Sequence, residues 1–189
     1  MHINQQMIDF VVDLLKDRIP DSYTYHDYKH TLYVLDNVKT IGREEHCTEK
    51  EIELLSVAAL WHDTGYINTY KEHELESCRL AIQYLPGYGY QAEDIDLICG
   101  MIMATRVPQT PLNKLEEIIT DADLEYLGTE AAGEKARLLF RELQSINPSL
   151  TQEKWNKTEI DFLQNHHYFT HYCKTTKEPV KQIYLASLL

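Results

Sequence analysis

Apolar residues recur along most of this chain at three- and four-residue spacing, the period of helices that bury one face. Ile8, Val11, Val12, Leu15 and Ile19 mark a first helix over about residues 3–19, which Pro20-Asp21-Ser22 ends. A polar, tyrosine-rich segment follows, and then Leu32, Leu35, Val38 and Ile41 mark a second helix over about 27–40, with Gly42 suited to its C-terminal cap. Thr48 and Glu51 form a capping-box pair. They open the most apolar stretch of the chain, IELLSVAALWHDTGY at 52–66. A helix apolar on most faces is central and buried. This one runs without a polar transition into His62 and Asp63 and stops at Gly65.

Further helices are predicted over about 70–85, stopped by Pro86-Gly87, and over about 92–105, ended by Val107-Pro108. Pro111 fits the first turn of a helix running to residue 126, with Gly128 beyond it. Three or four more follow, one from about residue 148 and one ending at 189. No period-two stretch and no Asn-Gly or Asp-Gly hairpin signal is present. The fold class expected is all-α, a helical bundle in a single domain over residues 1–189.

Composition narrows the function. The mix of 43% hydrophobic and 25% charged residues is that of a globular protein. No apolar run approaches the roughly 18 residues that cross a bilayer. The N-terminus reads as an amphipathic helix and not a leader, so a cytoplasmic location is expected. The net charge of −12, without a lysine or arginine cluster, argues against nucleic-acid polymers and anionic membranes as partners. A small phosphorylated substrate remains open, because a divalent cation can supply local positive charge. A homo-oligomer is compatible with the sequence. The four cysteines, Cys47, Cys78, Cys99 and Cys173, lack C-x-x-C spacing and read as reduced thiols.

An imidazole and a carboxylate ending a buried helix require a partner, since buried charge must be paired or bound to a metal. His26 and His30 lie four apart and share a face if that turn is helical. Asp121 and Asp123 lie about 200° apart around a helix, so one of them faces any given site. Asp123, in line with Ile119 and Tyr126, is favoured, and Asp121 is the alternative. The set His30, His62, Asp63 and Asp123 combines nitrogen and oxygen donors. It suits Mn, Fe, Co, Ni or Zn better than Mg or Ca. With two coordination positions open, such an ion can activate water.

The order His…His-Asp…Asp on helices resembles the HD-domain superfamily of metal-dependent phosphohydrolases. Tyr25-His26-Asp27-Tyr28-Lys29-His30-Thr31 is similar to its Y-H-N-x-x-H segment, AALWHDTGY (58–66) to its H-D core, and DADLEYLG (121–128) to its last-ligand segment. With HELES (73–77) and MATR (103–106), the likeness is to small bacterial predicted metal-dependent HD phosphohydrolases and spans most of the chain from about residue 20. The resemblance implies His30, His62, Asp63 and Asp123 as metal ligands. It also implies hydrolysis of a phosphoester, such as a nucleotide or another small phosphorylated metabolite, by a metal-activated water. Catalytic roles fall to Asp63 and to His26, the latter as general acid, with His73 and Arg106 contacting substrate. Two-metal members place extra histidines between the HD pair and the last aspartate. This chain has His73 but Thr105 where the second is expected, so one metal ion is expected.

Plainer readings accompany these. Asp27 reads as solvated or capping, His73 as a solvent-facing helix residue, and Arg106 as an ion-pair member. His166, His167 and His171 lie in an aromatic stretch that packing explains, although a nucleobase wall fits it too. His2 and His46 are assigned to solvent. The alternative from a different class is a metal-containing nucleotide sensor without turnover.

Overall fold

The computed structural model describes residues 3–189, so His2 lies outside the described residues. It contains ten α-helices and, among the described residues, no strand, as the apolar periodicity predicts. In chain order they are α1 (Gln5–Arg18), α2 (Tyr28–Glu44), α3 (Glu49–Trp61), α4 (His73–Tyr84), α5 (Ala92–Ala104), α6 (Lys114–Asp123), α7 (Ala132–Ile146), α8 (Gln152–Asn165), α9 (His171–Thr176) and α10 (Glu178–Leu188). Three short 3-10 turns join them, at Thr64–Ile67, Leu85–Tyr88 and Glu125–Gly128. Among the described residues, no helix is long and apolar enough to cross a membrane.

α3 is the axis of the molecule. Every residue from Ile52 to Trp61 is buried, and α1, α2, α4, α5 and α6 pack around it. Its start is set by the reciprocal Thr48–Glu51 capping box. A second, smaller apolar cluster joins Tyr25, Leu124, Tyr126, Leu127, Leu163 and Leu185, with Leu138, Leu139 and Phe162 at its border. It covers the side of the bundle where α3 delivers its polar end.

Several expected boundaries move, each for a local reason. Gly42 does not cap α2. It lies inside the helix, where a Cβ would come 3.4 Å from Ile52 and 3.5 Å from Leu55. The chain turns instead at His46, an exposed residue with φ of 56°. α6 does not begin at Pro111, because Asn113 accepts hydrogen bonds from the amides of Leu115 and Glu116 and starts the helix at Lys114. α8 begins at Gln152 and not near Pro148, capped by the Thr151 hydroxyl. All four cysteines are free, with Cys78 and Cys173 buried.

Candidate metal centre and its cavity

α3 ends at Trp61, and His62 continues its backbone path. The His62 Nδ1 lies 2.7 Å from the Ala59 carbonyl oxygen. A carbonyl can only accept, so Nδ1 carries the proton and the Nε2 lone pair faces inward. That Nε2 lies 3.2 Å from Asp63 Oδ2 and 3.5 Å from Asp123 Oδ1. His30 Nε2 lies 2.9 Å from Asp123 Oδ1 and 3.5 Å from Asp63 Oδ2. The donor atoms of His30, His62 and Asp123 all fall within 4.8 Å of one another. Four side chains from α2, the end of α3 and the end of α6 therefore converge on one point.

The residues fit a cation. His62 Nε2 and Asp63 Oδ2 are both buried and neither has a hydrogen-bond partner. A lone pair aimed at two carboxylates is repulsive unless a proton or a metal ion lies between them. Burial opposes a charged imidazole at His62, but the carboxylates of Asp63 and Asp123 outweigh it and raise its pKa well above 6.5. The same field that draws a proton draws a divalent ion. Asp63 follows the converse pattern: burial raises its pKa, and the facing His62 and His73 bring it well below the ordinary value.

His26 precedes α2, because the Asp27 side chain accepts from the amides of Lys29 and His30 and caps that helix. Asp27 is thus a cap, and it holds His30 in the first helical turn. His26 Nδ1 is hydrogen-bonded to the carboxylate of Glu142. Glu142 also accepts the backbone amides of Tyr25 at 2.8 Å and His26 at 3.0 Å. Burial lowers the His26 pKa, but the Glu142 hydrogen bond and the nearby Asp63 charge prevail and the net shift is upward. The His26 ring stacks on Tyr66 at 4.4 Å, with Nε2 3.3 Å from the Tyr66 hydroxyl. Tyr66 in turn stacks on His73 at 3.9 Å. The His73 side chain is 15% exposed, and its Nε2 lies 3.4 Å from Asp63 Oδ1, so it faces the cluster and not solvent.

Asp121 does not face this site. It is fully buried and accepts from the amides of Phe169 and Thr170 and from the Thr170 hydroxyl, anchoring the segment before α9. Arg106 lies just past α5, at the rim of the cavity beside the site. Its side chain is 51% exposed and pairs with Glu72 at 3.3 Å. Thr105 lines the same cavity, its hydroxyl donating to the Ile102 carbonyl. Of the aromatic C-terminal segment, Tyr168 is buried and donates to the Leu124 carbonyl. His166, its pKa pushed down to about 3 by burial and by Lys181, packs there too.

Two residues escaped the sequence reading. Tyr66 closes the AALWHDTGY stretch, and nothing in the local pattern marks it as a site residue. Glu142 was legible: it lies three and four residues after Leu139 and Leu138, on the apolar stripe of α7. A glutamate at that position is buried and needs a partner.

The cavity beside the cluster measures about 550 Å³ and is lined by His26, Asp63, Tyr66, His73 and Asp123 at one end. Comparisons with known proteins agree with this architecture. The HD domain family model matches residues 27–125. That range contains the four converging side chains and stops before Glu142. The crystal structure of a predicted HD superfamily hydrolase from an uncultured Thermotogales bacterium is similar over 86% of this chain and 90% of that one, at 22% identity and a TM-score of 0.59. The crystal structure of the Lin1889 protein from Listeria innocua is similar over 97% of this chain and 94% of that one, at 20% identity and a TM-score of 0.64. None of the curated proteins compared matches the chain. With the model matched from the α2 cap to two residues past the last inward aspartate, this chain belongs to the HD domain family.

Proposed function

We propose that the protein is a metal-dependent phosphohydrolase acting on a small phosphoester, nucleotides among the compounds to test. The observation that carries this reading is the pair of orphaned buried atoms, His62 Nε2 and Asp63 Oδ2, facing each other and His30 and Asp123. Family membership and the His/His/Asp cluster support metal-dependent hydrolysis. His30, His62, Asp63 and Asp123 would hold one divalent ion, and their mixed donors favour Mn, Fe, Co, Ni or Zn over Mg. Such an ion supplies an acidified water and a polarised phosphoryl oxygen.

The chain's own groups supply the rest. His26 holds a proton at Nε2 for the departing oxygen, with Nδ1 fixed by Glu142. His73 stands against the outer oxygen of Asp63 and orients that carboxylate. Arg106 and Lys71, both at the cavity wall, offer positive charge to phosphate oxygens. The burial of the cluster limits bulk water around the reacting groups.

The test is elemental analysis of the purified protein, run beside hydrolysis of an aryl phosphodiester and a nucleotide panel with added Mn, Co and Ni. About one transition metal per chain with metal-dependent phosphate release is expected. Metal retained without turnover of any ester would point to a sensor. A protein that takes up no metal would remove the site.

A further inference from the structure

The cavity has two chemically different ends. Beyond His26 it continues between Leu139 and Leu143 of α7, Trp155, Phe162 and Leu163 of α8, and Leu127. The polar groups along this arm are Thr158, whose hydroxyl donates to the Lys154 carbonyl, Glu159, which accepts from the Tyr184 hydroxyl, and the hydroxyls of Tyr25 and Tyr126, whose rings belong to the same apolar cluster as Leu127 and Leu163. The lysine and arginine at the cavity wall, Lys71 and Arg106, belong to segments beside the metal centre and not to the arm.

From this arm we infer that the substrate is a phosphoester whose leaving alcohol is apolar, an alkyl or aryl alcohol and not a nucleoside. The inference rests on the phosphohydrolase reading and narrows its substrate class. Three observations carry it. A nucleobase and ribose seated here would leave ring nitrogens and hydroxyls facing leucine, tryptophan and phenylalanine, at the cost of lost water hydrogen bonds. A second phosphate would meet the Glu159 carboxylate instead of a cation. Helical geometry, finally, places acid and arm together. Glu142 holds His26, and Leu139 and Leu143, three residues before and one after it, line the arm. The alcohol oxygen that receives the His26 proton therefore has its carbon chain directed to the apolar end. In the balanced step, water adds its oxygen to phosphorus as the P–O bond to the alcohol breaks; the alcohol departs carrying the proton from His26, the protons of the water remain on the phosphate product, and His26 regains its proton from that product or from solvent.

The volume of about 550 Å³ lies in the range of sites that enclose a whole small ligand. It leaves room for a chain of several carbons beside one phosphoryl group. Each methylene buried there is expected to tighten binding about fourfold.

The test uses the full-length protein loaded with Mn²⁺. Binding of n-alkylphosphonates from two to ten carbons is measured by calorimetry, alongside adenosine monophosphate, and phosphate release is measured from the matching alkyl phosphates. Affinity should climb by about fourfold per methylene until the arm is full, and exceed that for the nucleotide. Leu139→Asn should flatten that gradient. A flat series, or a nucleotide that binds more tightly than the octyl and decyl compounds, overturns the inference even if esters are hydrolysed. A rising series with no ester hydrolysed would uphold the apolar arm and overturn the phosphohydrolase reading instead.

Discussion

Glu142 determines which nitrogen of His26 faces the cavity, and its carboxylate shapes how the pair responds to pH. In the folded chain His26 holds its proton above the ordinary 6.5. Its contribution to stability is complete below about 6.5 and fades as pH rises through the raised value. Glu142 is held below 4.5: burial opposes this, but its bonds to His26 and to two amides prevail. Its contribution is complete above about 4.5 and fades as pH falls through the lowered value. The pair thus stabilises fully between those limits. With His26 as the general acid proposed above, the same sign would govern the rate, since such a group works while protonated. Glu142→Gln should move the alkaline limb of the pH–rate profile down by about one unit or more, with metal content unchanged in elemental analysis. His26→Ala should likewise retain the metal, while kcat falls by about 10²- to 10⁴-fold in a steady-state assay. Asp63→Ala should behave differently, losing metal and activity together; a stoichiometrically loaded Asp63→Ala protein would refute its place among the ligands.

At the scale of elements, the turn after α3 positions the chemistry. Gly65 has no left-handed backbone to explain it. A Cβ there would come 2.0 Å from the His73 carbonyl oxygen and 2.9 Å from the Ser77 amide nitrogen. The 3-10 turn Thr64–Ile67 lies against the start of α4, where the Gly65 amide donates to the Ser77 hydroxyl at 2.8 Å. This approach brings His73 to Asp63 and to the Tyr66 ring. Gly65→Ala must push α4 away, and an overpacking cost of about 1–3 kcal/mol is expected in thermal or denaturant unfolding. Loss of the Tyr66–His73 stack should accompany it. A variant as stable as the parent would show that α4 yields without cost. Asp27 and Asn113 act at the same scale. Each caps the start of a helix that carries a side chain of the inward cluster, His30 on α2 and Asp123 on α6.

For the whole molecule, the candidate metal centre is a junction of elements distant in sequence. On the proposed function, an ion held by residues of α2, α3 and α6 would tie the bundle together and stabilise the folded state by mass action, about 2.7 kcal/mol at a hundredfold excess over Kd. Chelation should therefore lower the melting temperature, and readdition of Mn²⁺ should restore it. Acid should have the same effect, because protons compete with the ion for His62, whose pKa is raised by Asp63 and Asp123. Loss of metal on dialysis is expected to increase as pH falls. A melting temperature indifferent to chelator would argue against an ion at this junction.

Local pattern was enough to read the helices, the Thr48–Glu51 start of α3 and the burial of its apolar run, since periodicity and capping act within a few residues. The inward aspartate was legible in the same way: Asp123 shares a stripe with Ile119 and Tyr126, and the structure turns it to His30 while Asp121 serves the α9 segment. The true starts of α6 and α8 depended on which of several polar residues became the cap, a choice made by packing. Tertiary structure alone brought Glu142 across 116 residues to His26. It also folded Tyr66 between two histidines and opened the apolar arm between α7 and α8. These features depend on where helices meet, and helix meetings are set by long-range packing that no local spacing encodes.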